Sequence, residues 1–126
     1  FVDSRRMLSY DLVLAIAERG GVIGIVAYNR MLDPEWSYAE PRLPLTRMVQ
    51  AIDHICQITG EASFVGIGSD LDGGFGLRSI PAEIDSTADL QKLGGVLAER
   101  GYGEDDINDI LSGNWLRVMT DVLEVM

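Results

Sequence analysis

Phe64-Val65-Gly66-Ile67-Gly68-Ser69-Asp70 offers no polar side chain to either face of a strand until it ends in a serine and an aspartate. A strand apolar on both sides belongs in a parallel sheet covered by helices, because an antiparallel strand with one wet face alternates instead. Gly21-Val22-Ile23-Gly24-Ile25-Val26-Ala27-Tyr28 has the same character and ends at Asn29. Between the two runs, Leu45, Met48, Val49, Ile52 and Ile55 recur at helical spacing, with Pro44 placed to open the helix and Gly60 to close it. The unit is strand, helix, strand, and a right-handed crossover if the strands lie side by side. Two parallel strands leave both outer edges unpaired, so the expected fold is a piece of a larger α/β protein.

Outward from this unit the pattern stays mixed. Ser9 is placed to cap a helix carrying Leu12, Val13, Ile16 and Ala17, with Gly20 as its stop. The polar stretch from Asn29 to Pro41, with Trp36 and Tyr38, is long enough for a functional loop. Leu71 to Ile84 is a second such loop, rich in glycine. Beyond it, Leu90, Leu93 and Leu97 mark a helix, and Glu104, Asp105 and Asp106 suit the first turn of the next, where negative charge complements the helix dipole. Asn114 is the expected cap of a last helix with Trp115, Val118, Met119 and Val122 facing inward.

The 126 residues suffice for one core. The formal charge of −10 disfavours nucleic acid and anionic membrane as partners. No apolar run approaches the roughly 20 residues of a membrane span. Cys56 is the only cysteine, expected as a buried, inert thiol, which fits a cytoplasmic bacterial setting.

Asp70 is the principal chemical candidate. Ligands of parallel α/β folds gather at the C-terminal ends of strands, and a carboxylate there can act as base, acid or metal ligand; the competing reading is a simple turn cap. Asp72 reads first as turn chemistry. Asp70-Leu71-Asp72-Gly73 opens like a calcium loop, but Phe75 and Pro81 stand where such a loop needs glycine and glutamate. Gly66-Ile67-Gly68 lacks the third glycine of a dinucleotide fingerprint. His54, the only histidine, lies among apolar helix positions and reads as structural; one histidine cannot assemble a typical zinc site. Arg5 and Arg6 are either solvated surface or a grip for a carboxylate.

Three stretches together resemble the membrane dipeptidase (renal dipeptidase) family of the amidohydrolase superfamily. They are Asp53-His54-Ile55-Cys56-Gln57-Ile58-Thr59-Gly60 followed by Val65-Gly66-Ile67-Gly68-Ser69-Asp70-Leu71-Asp72-Gly73; Arg100-Gly101-Tyr102 leading to Gly113-Asn114-Trp115-Leu116-Arg117-Val118; and Ser4-Arg5-Arg6-Met7-Leu8 with Gly20-Gly21-Val22-Ile23-Gly24. The resemblance implies that residues 1–126 are the C-terminal part of a (β/α)₈ TIM barrel, supplying strands seven and eight with flanking helices. It implies a dipeptide substrate and two zinc ions, with every metal ligand upstream of Phe1. It makes Asp70 the catalytic aspartate that holds the attacking water and passes its proton to the departing amine. Arg6 becomes the substrate-binding arginine for the terminal carboxylate, and a homodimer is the implied assembly. Ala51 stands where many members have histidine, and Arg5 where bacterial members often have proline. On this reading the chain alone is inactive. The alternatives are a non-catalytic half-barrel that pairs with another chain, or a relative hydrolysing another amide or a lactone.

Overall fold

The computed structural model describes residues 8–125, and the expectations for Arg5 and Arg6 lie outside the described residues. Helix α1 (Tyr10–Glu18) leads to strand β1 (Ile23–Ile25), a short α2 (Asn29–Leu32), the long α3 (Thr46–Thr59) and strand β2 (Val65–Ile67). Two 3₁₀ turns (Leu77–Ser79 and Thr87–Gln91) precede α4 (Lys92–Glu99). Then α5 (Glu104–Asn108) runs through a π turn (Asp109–Gly113) into α6 (Asn114–Val125). The strands are parallel, with Ile23 opposite Val65, Gly24 opposite Gly66 and Ile25 opposite Ile67. The α/β class and the strand–helix–strand unit are therefore as the sequence predicts.

Local signals act where expected at several points. The Ser9 side chain accepts from the Leu12 amide, satisfying a helix-end donor that would otherwise lack a partner. Gly60 ends α3 at φ 83°, a conformation a Cβ disfavours. Met48, Val49, Ala51, Ile52, Ile55 and Cys56 face the core from α3. Burying each of the larger of these is worth roughly 1.5–3 kcal/mol. Burial also pushes the Cys56 thiol up, away from its reactive thiolate form.

The last helices differ from expectation. Asn114 is not a helix cap: the chain is already helical at Asn108 and Asn114, and the Asn114 side chain is buried. Its Nδ2 donates to the carbonyls of Ala62 (2.7 Å) and Val65 (2.8 Å), fastening α6 to the start of β2. Trp115 Nε1 donates to Ile67 O at 3.2 Å, and Arg117 reaches Ser63 O and Gly20 O. The glycines of the strands follow from this packing. A Cβ on Gly66 would lie 2.4 Å from Trp115 Nε1, and one on Gly24 would lie 3.1 Å from the Gly68 Cα. Met119 and Val122, expected inward, are exposed with Leu116 and Leu123. Their helix meets the described core through its first turns, so periodicity marks an apolar face that the described residues leave exposed.

Tyr102 and Arg100, from the α4–α5 connection, meet Asp53 on α3. The Tyr102 hydroxyl donates to Asp53 Oδ1 at 2.6 Å and Arg100 to Oδ2 at 3.0 Å. The Tyr102 hydrogen bond holds the Asp53 carboxyl below its ordinary value, against the opposing effect of burial. A depressed folded value means that this stabilisation is present above the unfolded carboxyl pKa and disappears as pH falls through the folded one. Tyr102→Phe is accordingly expected to destabilise by roughly 1.5–3 kcal/mol near neutrality, the range for a hydrogen bond to a charged group. The gap between variant and wild type should narrow below about pH 4, which unfolding midpoints measured across pH would register.

Candidate functional site

Beyond the strands proper the parallel pairing continues, with Gly68 N–H donating to Ile25 O and Ala27 N–H to Ser69 O, each at 3.0 Å. The C-terminal tips of β1 and β2 are thereby fixed side by side, bringing Tyr28-Asn29 next to Asp70. Asp70 is exposed and adopts φ 57°, the only non-glycine positive φ among the described residues. That conformation is uncommon outside glycine and best tolerated by Asn and Asp, and it turns the chain sharply off the strand. The turn is closed by main chain, Gly73 N–H to Asp70 O at 2.9 Å. A Cβ on Gly73 would come within 2.8 Å of Asp70 Oδ1, so glycine there leaves room for the carboxylate. The turn-cap reading of Asp70 assigns the closing bond to the side chain, whereas the backbone carbonyl makes it.

The two loops after the strands form one layer. Arg42, from the first, donates to the carbonyls of Ile80, Pro81 and Ile84 and pairs with Asp85 of the second. Arg78, from the second, donates to Tyr38 O and Glu40 O, while the Ser79 hydroxyl donates to that of Tyr38 at 2.8 Å. Ala82 N–H reaches Leu43 O at 2.8 Å. Beneath them Asn29 is fully buried, its Nδ2 donating to Ile80 O at 3.3 Å, while its Oδ1 has no partner among the described residues. Trp36 is a buried anchor, with Nε1 on Pro41 O at 2.8 Å. It does not line the mouth. Tyr28 instead stacks on Phe75, ring centroids 4.4 Å apart and planes 24° from parallel.

Asn29, Arg42, Arg78 and Phe75 were not marked by the sequence. An arginine whose acceptors lie about 40 residues away carries no local signal; a buried asparagine just past a strand end is the one that could have been flagged.

Asp72 is exposed on the same turn, and His54 is half-buried on α3, where burial is the main cause lowering its imidazole pKa. Among the described residues no three His, Cys, Asp or Glu side chains gather as a metal site. Asp70 and Asp72 share the turn after β2 while the histidine lies on a helix, and these described residues do not make a metal centre by themselves. A cleft of about 390 Å³, lined by Asp53, Gln57, Glu61, Arg100 and Tyr102 among others, lies toward the N-terminal end of β2. In parallel α/β folds ligands gather at the opposite, C-terminal ends of the strands.

A protein of Klebsiella pneumoniae described as an uncharacterized protein in the pqqA 5′ region is 34% identical over 117 residues, covering 93% of this chain and 41% of its own length. Dipeptidase 3 of Rattus norvegicus is 34% identical over 115 residues, covering 91% of this chain and 22% of its own. A metallo peptidase structure from Rhodobacter sphaeroides, liganded with a phosphinate mimic of the dipeptide L-Ala-D-Ala, superposes with a TM-score of 0.73 at 26% identity. That match covers 87% of this chain and 30% of the other. The chain thus spans well under half the length of each of these relatives. The model of the membrane dipeptidase family, peptidase family M19, matches residues 1–126 from end to end: the chain belongs to that family of metallopeptidases.

Proposed function

We propose that this chain is the C-terminal part of a dipeptidase barrel, contributing strands seven and eight, and that Asp70 is its catalytic acid–base. The observation that carries the reading is the placing of Asp70. It is an exposed carboxylate at the tip of β2, beside the tip of β1, on a turn that the backbone closes without it. A carboxylate so placed can take a proton from an attacking water and return it to the departing amine. Arg6 is proposed to hold the substrate's terminal carboxylate, in the two-point manner that guanidinium geometry favours. The metal is proposed to be zinc, two ions, with ligands supplied from outside this chain. The proposed assembly is a homodimer.

A second reading, a non-catalytic half-barrel that pairs with another chain, is favoured by two observations. Leu116, Met119, Val122 and Leu123 on α6 are exposed together, and each strand has a single described neighbour.

The test is a substrate panel of dipeptides, lactones and esters, run on the 126-residue chain and on a longer protein containing it. The expectation is dipeptide cleavage by the longer protein, abolished by chelation and restored by zinc, with none by the chain alone. Cleavage by the chain alone, or only of lactones and esters by the longer protein, would count against the proposal.

A further inference from the structure

We infer that Tyr28 and Phe75 form a preorganised aromatic wall that selects dipeptides with an apolar side chain; this rests on the dipeptidase reading of the same mouth. The rings come from different loops, Tyr28 from the end of β1 and Phe75 five residues beyond Asp70, and they stack at 4.4 Å. The Ala27–Ser69 bond sets Tyr28 beside Asp70, so the wall borders the carboxylate that would do the chemistry. Phe75 packs against the core on one side, while both rings remain half-exposed. The two residues that flank Phe75 are small. Phe75 sits between Gly74 and Gly76, and a Cβ added at either would meet nothing within 4 Å. The same layer presents Leu77 and Tyr38 outward, both more than half exposed.

Rigidity gives this surface its selectivity. Arg42 holds three carbonyls of the second loop, and Ser79 bonds Tyr38 across the loops, so the rings need little ordering when a ligand arrives. A stacked pair held this way offers a flat apolar face with few rotamers to freeze. Covering roughly 60 Å² of apolar side chain at about 25 cal/mol per Å² corresponds to about tenfold in affinity.

The experiment uses the complete enzyme and dipeptides in which one residue is glycine and the other runs from glycine through alanine to leucine and phenylalanine, in both orders. Wild type should prefer the leucine and phenylalanine members over the glycine one. Tyr28→Ala and Phe75→Ala should reduce that preference about tenfold, chiefly through KM, while Tyr28→Phe keeps it. Flat selectivity in the wild type, with the glycine dipeptide turned over, overturns the wall alone, whether or not the variants fold. An equal fall for every dipeptide in the alanine variants overturns it as well, marking a purely structural stack. No turnover of any dipeptide by the wild type overturns the dipeptidase reading and the wall with it.

Discussion

Asp70→Asn in the complete enzyme is expected to lower turnover by a factor on the order of 10² to 10⁴, the usual contribution of a positioned acid–base group. Metal content and the unfolding midpoint should stay at wild-type values. The substitution is chosen on structural grounds. At φ 57° asparagine is tolerated about as well as aspartate, whereas alanine would add backbone strain to any loss of chemistry. The turn at Gly73 is held by the Asp70 carbonyl, which the variant keeps, so the loop should not move. What the amide lacks is the capacity to accept and return a proton. A fall in kcat with metal still bound therefore isolates that step. Turnover equal to wild type would remove Asp70 from the mechanism, and loss of metal along with activity would make it a ligand instead.

Periodicity and end signals were enough to read the frame of this molecule. Both strands, their parallel sense, α1 with its Ser9 cap, α3 with its Gly60 stop and the acidic start of α5 each rest on residues within a few positions of one another. What stayed hidden depends on contacts distant in sequence. Asn114 has the side chain of a helix cap and stands where a new helix was expected. The π turn carries the helix through it, and its amide serves carbonyls 52 and 49 residues away. Gly66 and Gly68 read as elements of a buried strand, but the demand on Gly66 comes from Trp115, which no local pattern connects to it. At the mouth, the place of Asp70 at the tip of β2 was legible because a carboxylate ending an apolar run is conspicuous. Phe75 was not, because an aromatic residue in a glycine loop has meaning only once its ring is known to meet Tyr28.

Asn114→Ala is expected to cost about 4 kcal/mol, the largest loss of stability predicted here. The Asn114 amide is buried and donates to the Ala62 and Val65 carbonyls, at 2.7 and 2.8 Å. Alanine would strand both acceptors away from water, at about 1–3 kcal/mol each, and leave a small cavity besides. Against a total stability on the order of 5–15 kcal/mol, a shift of that size would move the denaturant midpoint far beyond error. Asn114→Asp separates lost hydrogen bonds from lost volume. It keeps the shape but turns an oxygen toward the two carbonyls, so its carboxyl should hold a proton more tightly folded than unfolded. The folded state then binds more protons, and stability falls as pH rises through the range between the unfolded and folded values. The aspartate variant should thus be least stable near neutrality and recover toward acid pH, when its protonated oxygen can donate to one carbonyl again. The alanine variant should show no such recovery. Midpoints measured for both across pH would distinguish a strut that works by donation from one that merely fills space, and equal pH profiles would favour the latter.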